Sequence, residues 1–423
     1  MKSFHQLVFV TALFILPSLC FAQLQLIDSV AVMADYNTRE PMLVQHPNGD
    51  LYVTGYANPT KTPQLYKSND NGQSWKPVDV GSFEAGADGN SDMDLVVDAQ
   101  GTLYLMAMRF TTVPEDETNF DWSSMKGEHI AMGVSKDEGA TWTWQYLSKN
   151  NYDDRPWVTI ASDGSAHAIW NDGKGVHYRV SRDQGTSWEE RPDISPKGGS
   201  SHLVSGPKGL LAVRVSPESA SGTVFNEDID HIFISKDFGN GWTSVPAPGN
   251  RNWIPTAQRQ IGQMQYWVEP LAFDGRGHLY YLWSEGKSLR LGVSADLGQT
   301  WDISELYTSD MQSFFPYLNI QDDQLLCTWV SEKADQETMS YTLHHHVGHI
   351  SLAGDQPKPQ FLKPMNLINE LNTQYQGRYY AANGGEYFPA ILLADGSIGV
   401  VTTMNDLKGK KQGFAFRRLK VED

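Results

Sequence analysis

The sequence predicts an all-β fold in which short strands form blades around a central axis, as in a β-propeller. Two observations support this prediction: one eight-residue motif occurs five times, and a strand–turn–strand pattern occurs seven times. The composition agrees, because 37 glycines and 13 tryptophans among 423 residues supply many turns and many large apolar rings. Repeats of about 50 residues that consist of strands are typical of radial blades, which bury their faces against their neighbours.

The eight-residue motif reads Ser-x-Asp-x-Gly-x-x-Trp and predicts a tight hairpin. We expect its aspartate to accept hydrogen bonds from nearby backbone amides and its glycine to adopt a positive φ. The tryptophan then begins the next strand and buries a large ring. Successive copies start 67, 46, 54 and 59 residues apart. The five copies occupy residues 68–75, 135–142, 181–188, 235–242 and 294–301.

The strand–turn–strand units set the number of blades. The last unit lacks an outer strand, and the apolar segment Leu24–Met33 is expected to supply that strand and to close the ring. We therefore predict seven four-stranded blades, with six blades as the alternative. The seven units are Glu40–Tyr56, Asp92–Met108, Asp154–Asp172, His202–Val215, Glu269–Glu285, Phe315–Glu332 and Tyr387–Met404.

The first 22 residues predict a signal peptide. A lysine precedes an apolar run over residues 7–19, and Ala22 ends a cleavage site of the usual kind. We expect cleavage after Ala22, export to the periplasm or the medium, and one propeller domain over residues 23–423. A lipid anchor on Cys20 is the alternative. The mature chain then retains only Cys327, so no intrachain disulfide is expected.

The charge balance narrows the choice of partner. The chain has 33 basic and 50 acidic residues, a net charge of −17 and a pI near 5.1. This balance argues against nucleic acid or an anionic membrane surface as the main partner. No second apolar run is long enough to cross a bilayer, so no membrane insertion is expected. We expect a monomer.

The predicted topology selects the face of the ring that carries the site. The first strand of each blade starts on this face and the second strand returns to it, whereas the repeated motifs mark the opposite face and are structural. A ring of acidic and guanidinium groups around a pore suits an anionic sugar, unless these charges pair with one another and fill the channel. The candidates are His202, His129, Tyr266, Arg214, Arg155, Arg39, Glu40, Asp94, Arg109, Asp154, Asp172, Arg259, Trp267, Glu269 and Tyr380.

A run of histidines raises the question of a metal. His344, His345 and His346 are consecutive, and His349 follows. On a strand, neighbouring side chains point to opposite faces, so only His344 and His346 can converge. We therefore assign no metal ligands and expect no required cofactor; structural calcium or zinc stays open.

The repeated motif resembles the Asp box of the sialidase-like β-propellers, also called the BNR repeat. That resemblance implies a carbohydrate substrate. Sialidases hold the substrate carboxylate with three arginines and use a tyrosine nucleophile, a glutamate and an acid/base aspartate. Their first arginine lies in a Phe-Arg-Ile-Pro motif, and the corresponding stretch here reads Thr38-Arg39-Glu40-Pro41. The resemblance thus implies Arg39 as a substrate ligand and Tyr380 or Tyr379 as the nucleophile.

The seven predicted blades also look like those of propellers that act on uronic acids, such as ulvan lyases. That resemblance implies elimination, which needs groups that neutralise the C6 carboxylate, a base for the C5 proton and an acid for the leaving oxygen. Residue type and predicted face assign these catalytic roles to Arg155, Arg214, His129, His202 and Tyr266. The remaining candidates are assigned to substrate binding.

Together these observations predict an exported carbohydrate-active enzyme of polysaccharide degradation that acts on acidic oligosaccharides. The expected reaction is β-elimination at a uronic acid, by a lyase or a dehydratase. A sialidase-like exo-glycoside hydrolase is one alternative, and a glycan-binding propeller without catalysis is another.

Overall fold

The computed structural model shows a ring of seven antiparallel sheets. The first strands of successive blades contact one another around the axis, as do the strands Asn37–Gln45, Met93–Val97 and Asp154–Ile160. Within the described residues, no helix is long and apolar enough to cross a membrane. The structure describes residues 23–34, 36–58, 60–112, 124, 126–172, 174–217, 230–249, 268–335, 340–352, 365–366, 385–403 and 413–422.

The first three blades each have four strands in chain order, from the axis outwards. Blade one is β2 (Asn37–Gln45), β3 (Leu51–Asn58), β4 (Leu65–Ser68) and β5 (Lys76–Pro77). Blade two is β6 (Met93–Val97), β7 (Leu103–Phe110), β8 (Gly127–Ser135) and β9 (Thr143–Ser148), and a 3-10 helix over Phe83–Ala85 precedes it. Blade three is β10 (Asp154–Ile160), β11 (Ala166–Asn171), β12 (Val176–Ser181) and β13 (Glu189–Ser195).

The next three blades follow the same order. Blade four has a divided first strand, β14 (Gly199–Ser200) and β15 (Val204–Ser205), then a 3-10 turn (Pro207–Gly209), β16 (Leu211–Ser216), β17 (His231–Ser235) and β18 (Thr243–Pro246). Blade five is β19 (Leu271–Phe273), β20 (Leu279–Glu285), β21 (Ser288–Ser294) and β22 (Asp302–Thr308). Blade six is β23 (Gln312–Gln321), β24 (Gln324–Asp335), β25 (Ser340–Ser351) and β26 (Met365–Asn366).

The seventh blade joins the two ends of the chain. It consists of β27 (Ala390–Leu392), β28 (Ile398–Thr403), β29 (Phe414–Glu422) and, outermost, β1 (Gln23–Val32). β1 pairs with β29 in antiparallel register from Gln23 opposite Glu422 to Val32 opposite Phe414. The predicted seven blades and the predicted closure by the N-terminal strand are confirmed, and the six-blade alternative is wrong.

The repeated motifs form the predicted hairpins between the third and fourth strands. In the first copy, the Asp70 carboxylate accepts hydrogen bonds from the Ser68 hydroxyl at 2.7 Å and the Ser74 amide at 2.9 Å. Hydrogen bonds from the Ser74 hydroxyl, then the Ser74 amide and the Ser68 hydroxyl, lower the pKa of Asp70 to about 2. Gly72 has a φ of 84°, and a Cβ there would lie 1.9 Å from the ring of Phe416. Only glycine fits at this position.

The hydrophobic core lies between neighbouring blades. Ile232 and Ile234 of blade four, for example, pack with Leu271, Leu279 and Tyr281 of blade five in one buried cluster. Each blade therefore buries both faces, except at the ends of the ring axis. At one end of this axis, the starts of several first strands carry polar residues that the sequence singles out, such as Glu40, Asp94 and Asp154.

Candidate functional site at the pore mouth

Three first strands begin with the same irregularity. The pairing register shifts between Arg39 and Met42, between Asp154 and Trp157, and between Phe314 and Tyr317. At each shift, a non-glycine residue with positive φ precedes a proline: Glu40 at 58°, Arg155 at 54° and Phe315 at 50°. Bulges of this kind bend a strand and redirect its side chains, and they are frequent beside active sites. Here they set the positions of Glu40 and Arg155.

Arg155 is a buried cation of the pore mouth. Its Nη2 lies 2.8 Å from Oε2 of Glu386, and its Nε lies 3.8 Å from Oδ2 of Asp154. Both Arg155 and Glu386 are buried. Glu386 belongs to the segment before blade seven and Arg155 to blade three, so this ion pair spans the centre of the ring.

Buried and half-buried carboxyl groups surround this ion pair. Burial raises the pKa of Asp154 to about 7; Arg155 opposes the shift, and Asp92 and Glu386 add to it. Burial and then the neighbouring Asp92 also raise the pKa of Glu40 well above its ordinary value. Two of the predicted site acids, Glu40 and Asp154, therefore have a strong tendency to hold a proton near neutral pH.

An aromatic group lies against the same cluster. The ring of His202 packs on Trp157, with 3.9 Å between ring centroids, and meets Tyr387 edge to face at 5.0 Å. Tyr317 contacts the other side of His202 at 5.6 Å. Within the described part of the chain, neither ring nitrogen of His202 nor the hydroxyl of Tyr387 has a hydrogen-bond partner.

The protonation states of these two side chains follow from their surroundings. Burial and the charge of Arg155 lower the pKa of His202 to about 3, so its imidazole is neutral. Burial and the carboxylates of Glu40, Asp92 and Asp94 raise the pKa of Tyr387, so its phenol keeps its proton. The site thus presents one neutral imidazole and one intact phenol near a guanidinium group.

Asp94 marks the inner limit of the site. Its carboxylate accepts hydrogen bonds of 2.8 Å from the amides of Leu95 and Val158. Burial nevertheless raises its pKa to about 7. Asp94, His202 and Tyr317 also line a cavity of 350 Å³ formed by the first strands.

Two other predicted residues form a separate buried network. Arg214 is fully buried, and its Nη2 lies 2.8 Å from Asp230 and 3.9 Å from Glu269. The hydroxyl of Tyr281 donates to Glu269 at 2.7 Å. The charges of Arg214 and Glu269 are therefore paired with neighbours, as in the alternative in which the charges pair with one another and fill the channel.

His129 and Arg109 share a carboxylate that sequence reasoning missed. Nε2 of His129 lies 2.7 Å from Oδ2 of Asp88, and Nη1 of Arg109 lies 3.7 Å from Oδ1 of the same group. The hydroxyl of Tyr146 donates to Asp88 at 3.1 Å. These two predicted residues, from adjoining positions on β8 and β7, belong to one cluster around Asp88.

Arg39 is adjacent to Glu40 in the pore mouth, and its charge opposes the rise in the pKa of Glu40, whereas Asp172 contacts a different partner. Asp172 contacts His177 at 2.9 Å, and the guanidinium of Arg39 stacks 4.3 Å from the ring centroid of Tyr56. The other four predicted site residues lie outside the described part of the chain. These are Tyr266, Arg259, Trp267 and Tyr380.

A sequence signal for the pore mouth does exist. In several blades, a residue directly followed by proline stands at or just before the first strand. In blades one and three, the residue before proline is Glu40 or Arg155, and both belong to the pore mouth. This signal also identifies Tyr387, which stands directly before the last such step, and Tyr317, which follows another. The steps are Glu40-Pro41, Arg155-Pro156, Glu269-Pro270, Phe315-Pro316 and Phe388-Pro389.

The histidine run behaves as strand alternation requires. The rings of His344 and His346 stack 6.4 Å apart, whereas His345 packs against Phe388 on the other face. Across the described ranges, no three His, Cys, Asp or Glu side chains converge in a way that could hold a metal ion.

The sequence matches no protein-family model and no curated protein. Among solved structures, a Dyadobacter fermentans protein of unknown function is 14% identical, with coverage of 94% of this chain and 99% of that chain and a TM-score of 0.47. NanB sialidase of Streptococcus pneumoniae is 13% identical, with coverage of 94% and 70% and a TM-score of 0.46. The polysaccharide lyase Uly1 is 11% identical, with coverage of 78% of each chain and a TM-score of 0.43.

At these identities the likeness concerns the fold alone. The seven-bladed ring itself is established by the sheet topology of this chain. The chain is a seven-bladed β-propeller, and its structural neighbours include sialidases and a polysaccharide lyase.

Proposed function

We propose that the protein is a carbohydrate-active enzyme whose reacting groups lie at the pore mouth around Arg155. One observation carries the proposal: His202 and Tyr387 are buried, and their polar atoms have no partner within the described residues. Buried polar atoms are nearly always hydrogen-bonded, so a pair without partners suits a bound ligand. The structural neighbours include a sialidase, an arabinanase and a polysaccharide lyase, which agrees with a sugar as the ligand.

The proposed reaction is β-elimination at a uronic acid. His202, neutral because of its low pKa, accepts the C5 proton, and the C5–H electrons form the C4–C5 double bond. The C4–O bond breaks, and Tyr387 donates its proton to the leaving oxygen. Arg155 faces the substrate carboxylate, whose negative charge it stabilises.

The acids around Arg155 decide whether a uronate can bind. With every carboxyl group ionised, a substrate carboxylate would be repelled by Glu40, Asp92, Asp154 and Glu386. Burial favours the protonated forms of Glu40 and Asp154, which then donate hydrogen bonds instead of repelling the substrate. The proposal therefore includes these two acids as neutral ligands of the substrate carboxylate.

Hydrolysis is the second candidate, and a separate observation favours it. Glu40 and Asp154 have raised pKa values, and both lie close to the carboxyl groups of Asp92 and Glu386. One protonated and one ionised carboxyl group are the pair that glycoside hydrolysis requires. In this reaction Asp154 or Glu40 would protonate the leaving oxygen, and no double bond would form.

The test is incubation with uronic-acid oligosaccharides while the ultraviolet absorbance of the conjugated C4–C5 double bond is recorded. New reducing ends are measured in parallel, and a sialoside is the second substrate. Elimination predicts that absorbance and reducing ends rise together. New ends or free sialic acid without absorbance would replace elimination by hydrolysis, and no product from either substrate would contradict both.

Tyr387→Phe tests the assigned acid, because it keeps the ring and removes only the proton donor. We expect the rate to fall about 100-fold or more, with an unchanged melting temperature. Tyr281→Phe is the matched control, since Tyr281 is a buried phenol beside Glu269 in the other network. Equal activity of wild type and Tyr387→Phe would remove Tyr387 from the mechanism.

Export belongs to the same proposal. The signal peptide predicted over residues 1–22 would deliver the enzyme to extracellular glycans as a monomer. An intact mass measurement on protein from the native periplasm or medium tests this, with a chain that begins at Gln23 as the expected result. A mass that includes residues 1–22 would contradict it.

A further inference from the structure

A groove of 440 Å³ lies between blades two and three, outside the pore mouth. Its walls are the outer strand of blade two, β9, and the strands β11, β12 and β13 of blade three. This volume falls in the range of small-ligand sites. The pore mechanism uses none of the groove residues.

The charges that line the groove are matched. Arg179 pairs with Glu190 at 3.2 Å, and Nδ1 of His177 lies 2.9 Å from Asp193. Arg191 pairs with Glu189 at 2.9 Å. In a chain of net charge −17, the groove thus offers cationic donors and carboxylate acceptors side by side. A ligand that uses both must itself carry donors and acceptors and needs no net charge, as sugar hydroxyl groups do.

Aromatic rings complete the lining. The half-buried ring of Tyr146 forms part of the wall, and Nζ of Lys149 lies 3.8 Å from its centroid. Trp170 also lines the groove, is only 4% exposed, and has an indole N–H without a partner among the described residues. Rings that combine an apolar surface with a polar atom suit the apolar faces and hydroxyl groups of a sugar.

The groove and the pore mouth both lie towards the same end of blade three. Asp154 of the pore mouth pairs with Asn171, and Asn171 pairs with Val176, the neighbour of His177. His177 in turn contacts Asp172 at 2.9 Å. Strands are spaced by about 5 Å, so the third and fourth strands of this blade lie roughly 10–15 Å from the first. A short oligosaccharide can cover that distance.

We propose that this groove binds an uncharged sugar residue of an oligosaccharide whose reacting end lies at the pore mouth. The inference rests on the proposed function for its ligand class, a carbohydrate. It assigns recognition of the chain beyond the reacting sugar to residues that take no part in bond cleavage.

The test measures binding to immobilised glycans in the Tyr387→Phe background, which removes turnover. The array carries neutral tri- and tetrasaccharides and uronic-acid oligosaccharides. Trp170→Phe removes the unpartnered donor and keeps the packing, and should weaken binding to neutral glycans about fivefold, the value of one hydrogen bond. Arg179→Ala removes a charged donor and should weaken it about tenfold or more.

Two matched controls lie in other blades. Trp329→Phe changes a buried tryptophan on the second strand of blade six, whose indole N–H also has no partner within the described residues. Arg290→Ala removes a third-strand arginine of blade five that pairs with Glu305 of the fourth strand at 3.8 Å. Neither residue lines the groove, so both controls should bind like the parent.

The outcomes separate the two proposals. If binding to neutral glycans is weaker in both groove variants and unchanged in both controls, the groove proposal is supported. This holds even if Tyr387→Phe proves fully active and the proposed reaction fails. Three results would overturn the groove as a sugar site: binding that is unchanged in the groove variants, binding to acidic glycans alone, or no binding to any glycan.

Discussion

Gly385 shows how closely the pore mouth is packed around one acid. A Cβ at this position would lie 2.5 Å from Cγ of Glu40 and 2.7 Å from its backbone nitrogen, and the φ of Gly385 is 126°. The bulge of blade one therefore presses Glu40 against the segment that carries Glu386 and Tyr387. Because the backbone of Glu40 is part of this contact, a side chain here cannot be accommodated by a rotamer change.

We therefore expect Gly385→Ala to lower the free energy of unfolding by about 1–3 kcal/mol and to displace Glu40 from the cluster. Denaturant titration measures the first effect and the catalytic assay the second. Gly396→Ala is the control: this glycine also has a positive φ, 81°, but no atom lies within 4 Å of the added Cβ. The control should lose about 1 kcal/mol and keep full activity. Equal losses in both variants would refute the close contact as the cause.

The raised pKa of Asp154 makes a prediction for the pH dependence of activity. The proposed site binds substrate with Asp154 protonated, so kcat/KM should fall as the pH rises through about 7. Asp154→Asn keeps a neutral donor and should retain its activity above that pH. Asp70→Asn, in an exposed Asp box, should leave the profile as in wild type. A wild-type profile that stays flat through pH 7 would contradict the assignment.

At the scale of elements, two buried histidines of strand β25 should lower the stability of the fold in acid. Burial, with smaller contributions from neighbouring cationic groups, lowers the pKa of His345 and His346 to about 3. An unfolded chain binds protons on these rings near its ordinary pKa of 6.5, whereas the folded chain does not. Stability is thus complete above about pH 6.5 and is lost as the pH falls towards 3.

Each ring should cost about 2 kcal/mol of folding free energy between pH 6.5 and pH 5. We expect His346→Gln and His346→Phe both to reduce this acid-dependent loss, although they differ in stability at pH 7. Unfolding titrations at the two pH values provide the measurement. An unchanged pH dependence in both variants would show that His346 does not limit stability in acid.

The elements themselves were predictable to a large extent, and the reason is local. The hairpin of an Asp box depends on local features, such as the hydrogen bonds of Asp70 and the positive φ of Gly72 in the first copy. These residues lie within one short segment, so the sequence motif alone predicts the hairpin. The pore mouth differs. Arg155 pairs with Glu386, which lies 231 residues away, and Arg214 pairs with Asp230 across two strands. Spacing contains no information on such partners, so the sequence grouped these two arginines as candidates without separating their environments.

At the scale of the whole molecule, the ring depends on one strand contributed from the other end of the chain. β1 supplies the outer edge of blade seven, and Leu24 and Val32 are buried there. Deletion of residues 23–33 would expose the edge of β29 and the apolar side chains beneath it. A chain that starts at residue 34 should unfold at a lower temperature and associate, by comparison with a chain that starts at Gln23. Equal melting curves would mean that the closure contributes little to stability.

The same closure determines where residues 23 and 422 lie. The strands of blade seven alternate in direction, so the paired residues Gln23 and Glu422 lie on the face of the Asp boxes, opposite the pore mouth. A tether, tag or fused domain attached next to residue 23 or residue 422 would therefore be attached to the face opposite the pore mouth. In that orientation the pore mouth faces away from the attachment point, and an immobilised propeller would keep the pore mouth open to large ligands.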